Sequence, residues 1–445
     1  MSVTIDQQIE SAKLTRFHFG LLALGSFIYA FTAMNVLLIA GVLTPIIAEF
    51  GLGQQPLTTG LLLSAGYIGM FVGALTCGVL ADRIGRKNTI ILTLLTMTVF
   101  TALNGFASDP VTMAVLRFVA GIGLGGALPQ PGVYIAEYVP AKYRGRFLGL
   151  TEASWVYGAL LSLVFSVFLF PAFGWRLTFL VSLIPVVLVP VVYFFAPESL
   201  RYLQVAGRRN EAVSLLKKHK LVLATATLTE DMEAVPAVRQ GLKETLAELW
   251  SPIFRRRTLM IWVSWAVLVY TYHGIFTWLP TFYYDTLGFT VVRSIQWVLI
   301  VTLAQVPGYY IAALLLDKVG RKKIAVGFLT SAGVGSVLLS LATNTDLILL
   351  WSTVISFFNL GAWSALYAYT PELYPTRIRG TASGAAASIG RLAGVVAPTA
   401  TPLLYFYGGL PVAFAAFALI HFAGAVTILL LGRETKGKPL TEIAK

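Results

Sequence analysis

Cysteine, histidine and charge are all scarce in this sequence. Cys77 stands alone among 445 residues, which excludes an intrachain disulfide framework and any metal site built on cysteines. Four histidines, with no HExxH and no paired spacing, leave nothing for a histidine metal site. Charged residues make up 12% of the chain, about half the share of roughly 25% that a soluble domain carries. With 57% hydrophobic residues and a mean hydropathy of +0.78, this argues against a water-soluble fold. A Walker A sequence is missing, so ATP-driven transport lacks its engine. Gly121-Ile-Gly123-Leu-Gly125-Gly126 satisfies GxGxxG, yet no strand precedes it, and close helix packing through small residues explains it better than a dinucleotide. No cofactor or metal is expected. No Asn-x-Ser/Thr acceptor is present either, which with short outer loops favours a prokaryotic inner membrane as the plasma membrane concerned.

What the chain does have is apolar length. About 20 apolar residues cross a bilayer core of ~30 Å, and twelve such runs are found, at 17–39, 57–81, 89–107, 111–137, 148–170, 177–195, 258–283, 291–316, 324–342, 347–370, 381–404 and 410–431. Runs such as Leu183–Phe195 are apolar on every side, against the alternation that a β-barrel requires. The expected fold is therefore an all-α polytopic membrane protein of twelve transmembrane helices. Met1–Arg16 carries Asp6 and Glu10 and lacks a cleavage site, unlike a signal peptide.

The net charge of +13 reports topology more than it suggests a nucleic-acid partner. With the N-terminus taken as cytoplasmic, 29 of the 33 Lys and Arg fall in the tails and in alternate loops on that face. Both termini are thus expected in the cytoplasm. Arg176 and Arg293 lie near outer loops, and Arg117 and Arg391 lie inside spans. One long polar stretch, Arg201–Arg257, separates spans six and seven, with Leu242–Leu249 in helical spacing. It is read as a cytoplasmic linker with interfacial helices, dividing the chain into a bundle at 1–200, the linker at 201–257, and a second bundle with a tail at 258–445.

An internal repeat supports that division. Gly78-Val-Leu-Ala-Asp82-Arg83-Ile-Gly85-Arg86-Lys87 matches Ala313-Leu-Leu-Leu-Asp317-Lys318-Val-Gly320-Arg321-Lys322 at an offset of 235. Glu137-Tyr-Val-Pro140 with Arg144-Gly145 matches Glu372-Leu-Tyr-Pro375 with Arg379-Gly380 at the same offset. Two motifs at one separation imply two pseudo-symmetric six-helix bundles, an architecture expected of a transporter that rocks about a central site.

These motifs, with Pro197-Glu198-Ser199 and Glu434-Thr435-Lys436-Gly437, resemble the major facilitator superfamily over nearly the whole chain. The Pro-Glu-Ser and Glu-Thr-Lys-Gly segments are similar to sugar porters. Thr277-Trp278-Leu279-Pro280-Thr281 and Ser388-Ile-Gly-Arg391-Leu-Ala-Gly394 are similar to the organic-ion and aromatic-acid branch, with its nicotinate permeases and vesicle-glycoprotein-like proteins. The resemblance implies a monomeric secondary transporter of a small molecule. It also implies a conformational latch at the cytoplasmic helix ends, formed by Asp82, Arg86, Glu137 and Arg144 with their copies Asp317, Arg321, Glu372 and Arg379. A purely topological role for those charges is the alternative.

Charged residues without a copy in the other half are candidates for handling cargo. Arg117 maps onto Ser352, Glu152 onto Ala387, and Arg391 back onto Val156. Arg391 lies eleven residues beyond Gly380, or roughly 16 Å into the membrane at 1.5 Å per residue. A charge so deep implies function or a buried partner. Proton-coupled relatives carry an acid in span one near the arginine of span four, whereas this chain reads Phe31-Thr32-Ala33-Met34-Asn35. Glu152, with Arg117, is the remaining candidate for coupling to protons. His273 and His421 stand behind them, although a histidine such as His273 is more often a hydrogen-bonded packing residue than a proton carrier. Arg391 with Asn35, Trp155, Tyr157, Tyr270, His273, Gln305, Asn359 and Trp363 forms the expected substrate set. An arginine among aromatic walls suits a small planar carboxylate. A sugar or polyol carrier is the alternative, and a transport-dead receptor or sensor a more distant one.

Overall fold

The computed structural model describes residues 9–10, 12–219, 221 and 242–437. Its helices, in chain order, are α1 (Arg16–Glu49), α2 (Pro56–Ile84), α3 (Arg86–Leu103), α4 (Pro110–Ala127), α5 (Gln130–Tyr138), α6 (Ala141–Thr178), α7 (Leu188–Phe195), α8 (Leu200–Val205) and α9 (Arg209–Lys218). After residues 222–241 come α10 (Leu242–Leu249), α11 (Arg255–Leu287), α12 (Val291–Leu303), α13 (Gln305–Val319), α14 (Arg321–Ser340), α15 (Thr345–Glu372) and α16 (Thr376–Leu431). Among the described residues ten helical segments are long and apolar enough to cross a membrane, and two of them, Lys142–Phe195 and Arg377–Leu431, run to 54 and 55 residues. Each of these two breaks at a glycine of positive φ, Gly174 at +73° and Gly409 at +66°, and so supplies two crossings. The chain thus makes twelve crossings.

Proline explains where single spans are interrupted. Pro129 and Pro131 carry no N–H to bond back into α4, and the span divides there into α4 and α5. Pro307 does the same between α12 and α13. Pro185 lies in a 3₁₀ stretch, Phe179–Val187, that precedes α7, so the sixth span is tighter than a regular helix. Asp109 caps α4 by accepting from Val111 N and Thr112 N at 2.9 and 3.0 Å. Its copy at +235, Asn344, caps α15 through Leu347 N at 2.9 Å.

The glycines of the false dinucleotide motif bring α2 and α4 together. A Cβ at Gly125 would collide with the Met70 carbonyl, and one at Gly69 with that of Phe118. Phe194 and Phe195 are 72% and 77% exposed, a surface that lipid and not water covers. The two sets of six crossings meet along α1 with α11, α2 with α16, and α6 with α12. In the linker, α9 leads to His219, whose ring stacks on Phe17 at 4.0 Å. The C-terminus of α10 meets the start of α11 through Thr258 Oγ1 donating to Leu249 O at 2.8 Å.

Candidate substrate cavity

Contacts between the halves crowd the end of the bundle away from the termini. Thr44 meets Thr281 at 3.1 Å, and Ser64 Oγ donates to Val395 O at 2.6 Å and lies 2.8 Å from Thr399 Oγ1. One layer deeper, Tyr67 Oη bonds His273 Nδ1 at 2.8 Å, and Trp155 Nε1 donates to Tyr272 Oη at 2.9 Å. Toward the terminus-bearing end, Tyr309 Oη donates to Gly149 O at 3.2 Å across the halves. Hydrogen bonds between the halves are thus denser on the side away from the termini.

Between the halves lies a cavity of about 260 Å³. Trp155, Trp265, Trp363 and five tyrosines, at 29, 67, 272, 309 and 367, supply the rings of its wall, together with His273. Trp265 stands edge-on to Trp363 at 5.6 Å and to Tyr367 at 5.4 Å, so the rings are interlocked. Arg391 and Glu152 are the charged residues of the wall, one from each half. Among the described residues neither makes an ion pair or a hydrogen bond. Tyr29 and Tyr367, bonded across the halves at 3.1 Å, lie within electrostatic reach of both charges.

The expected substrate set divides. Arg391, Trp155, His273 and Trp363 line this cavity, and Glu152 joins them rather than pairing with the basic residues of the helix ends. Asn35 and Arg117 instead line a separate, smaller cavity inside the first bundle. Tyr157 is exposed and bonds Tyr310 at 3.1 Å. Gln305 is buried behind the wall, accepting from Tyr272 at 3.3 Å. Asn359 donates to Thr271 at 2.9 Å and lies 3.1 Å from His421 Nε2, within the second half. Tyr270 packs on Phe417. These six are placed by helix rotation, which depth along the sequence does not report.

A family model for sugar (and other) transporters matches residues 19–445. The chain belongs to this family of the major facilitator superfamily. It is 38% identical over 437 residues to the niacin transporter NiaP of Acinetobacter baylyi, covering 98% of each chain. It is 24% identical to the benzoate transport protein of the same organism, over 99% of this chain and 96% of that one. The fold is similar to the partially occluded inward-open form of the xylose transporter XylE from E. coli, with a TM-score of 0.78 at 18% identity, over 96% of this chain and all of that one. This facilitator is thus a multi-pass membrane protein and a secondary transporter.

The repeated helix-end motifs of this facilitator form two matching clusters. Arg86 lies 3.8 Å from Asp82 and 3.5 Å from Glu137, and Arg321 lies 3.0 Å from Asp317 and 3.1 Å from Glu372. Arg144 pairs with Glu10 at 3.0 Å and bonds Val139 O, and Arg379 bonds Tyr374 O at 3.3 Å. Each cluster has a further member that the sequence reading used only as a signature. Glu198 accepts from Arg86 N at 2.8 Å, and Glu434 accepts from Arg321 N at 2.9 Å. Each carboxylate sits on the N-terminus of a helix, where its charge is stabilised by the helix dipole. A Cβ at Gly85 (φ +92°) or Gly320 (φ +112°) would strike that carboxylate, so glycine is required twice over. Their spacing of 236, one residue off the repeat, hides the pairing.

Proposed function

We propose that this transporter carries a small planar carboxylate, such as an aromatic acid, between Arg391 and the aromatic wall. The observation that carries the reading is a half-buried guanidinium with no carboxylate partner among the described residues, in a cavity walled by rings. A guanidinium binds a carboxylate through two parallel hydrogen bonds. Trp363 adds a buried Nε1 with no partner in the described residues, a further donor to an anion. Relatives named for niacin and benzoate transport support the same cargo class. A sugar would call for converging amides, and no Asn or Gln lines the cavity among the described residues.

In this reading Glu152, the carboxyl of the wall, exchanges the coupling proton, and the protein acts as a monomer in a prokaryotic inner membrane. The basic terminus-bearing end is cytoplasmic, and the cavity, with the denser cross-half bonds on its other side, faces inward here. The halves 1–200 and 258–445 rock about the cavity, with 201–257 as the tether, and the helix-end clusters latch the cytoplasmic side when it closes. Uptake of labelled nicotinate, benzoate and glucose into proteoliposomes tests the cargo. Accumulation of the acids and not of glucose is expected. Glucose uptake alone would establish the sugar reading, and no uptake of any would point to a receptor.

A further inference from the structure

The first bundle holds a second polar site, outside the cargo cavity. Arg117 lies within it, against Gly66, and among the described residues it makes neither a hydrogen bond nor an ion pair. Asn35 is 3% exposed, and both its Nδ2 and its Oδ1 are unpartnered. Thr101 Oγ1 is buried without a partner as well. All three residues line one cavity of about 20 Å³, which no carboxylate lines among the described residues. Asn104 turns its Nδ2 to Phe100 O at 2.7 Å and leaves Oδ1 unpaired, an acceptor suited to the guanidinium.

We infer that this cavity is a binding site for a small inorganic anion, chloride above all, held by Arg117, Asn35 Nδ2 and the Thr101 hydroxyl. The charge demands it, because a guanidinium buried in a membrane bundle without a counter-charge is strongly disfavoured. The size selects the occupant. A volume of about 20 Å³ admits one monatomic anion or a single water, not an organic acid, and water brings no charge. Asn35 lines the same cavity as the arginine, and its amide offers the anion a donor. The site also touches cargo handling. Tyr67 and Met70 line both cavities, and Tyr67 holds the bond to His273 across the halves. An anion beside Arg117 therefore fixes one corner of the cargo cavity from behind.

The test uses the purified full chain without cargo, so its outcome is independent of the cargo reading. Thermal unfolding is followed as sodium chloride or sodium bromide replaces sodium gluconate at constant ionic strength. Both halides are expected to raise the unfolding temperature in a saturable way, with an anomalous bromide peak beside Arg117 in crystals. Asn35→Asp supplies the missing carboxylate in nearly the same volume and should be stable in gluconate and indifferent to chloride. Arg117→Gln should also lose the response. Equal unfolding temperatures in chloride and gluconate for the wild type would overturn the inference. So would an undiminished chloride response in both variants, which would place the effect elsewhere.

Discussion

Arg391 and Glu152 occupy one cavity but carry different expectations. Arg391→Lys keeps the charge and loses the planar fork, and should weaken acid binding by about tenfold, the equivalent of ~1.4 kcal/mol. Arg391→Ala should nearly eliminate transport while the protein still folds, because an arginine with no partner in the described residues leaves no orphan behind. Ligand-induced thermal shifts measure the first and proteoliposome uptake the second, and near wild-type anion transport by Arg391→Ala would refute the cargo assignment. For Glu152, the wall carboxyl, substitution by Gln keeps shape and removes the titrating group. Glu152→Gln should abolish accumulation driven by a proton gradient and spare exchange of labelled for unlabelled acid. Accumulation that survives the change would assign coupling to another group.

The starts of α3 and α14 show how an element end can serve the whole fold. Each opens after a glycine of positive φ, and each takes its anionic cap from a distant segment, Glu198 or Glu434. Removing such a cap costs about 1 kcal/mol. Glu198→Ala should therefore lower the unfolding temperature measurably without changing acid binding to the cavity. Gly85→Ala should be worse, since the new Cβ meets the Glu198 carboxylate while the backbone stays left-handed. Thermal unfolding in detergent distinguishes the two, and equal stability of wild type and Gly85→Ala would show that the turn is not required.

For the molecule as a whole, the proposed rocking about the cavity implies an equilibrium that the helix-end clusters are expected to bias. In this state Asp82 is 78% exposed on its side chain and only 3.8 Å from Arg86, so it remains able to meet the other half on closure. Asp82→Asn should shift the population toward the form open at the terminus-bearing end, by up to ~1 kcal/mol for an exposed charge. Spin labels on the inner ends of α2 and α13 would report longer distances in the variant. An unchanged distance distribution would leave these charges with a topological role alone.

Twelve crossings, a two-fold repeat and a basic face were legible in the chain because each rests on local composition or on spacing along it. The lining of the candidate cavity was half legible. Arg391 announced itself through depth and the lack of a copy, and its cavity is walled by Trp155, Trp363 and His273 as expected. Asn35, Gln305 and Asn359 sit at similar depth, yet bond or pack elsewhere. One residue along a helix turns the side chain by about 100°, so facing is set by the packing of twelve spans and not by position in any one. Tyr29 and Tyr67 went unnoticed for the same reason: membrane aromatics are common, and only the approach of α1 to α15 and of α2 to α11 makes these two the cross-half hydrogen-bond partners of Tyr367 and His273. Glu198 and Glu434 likewise reach their helices across 112 and 113 residues, a closeness that exists only once the bundle is assembled.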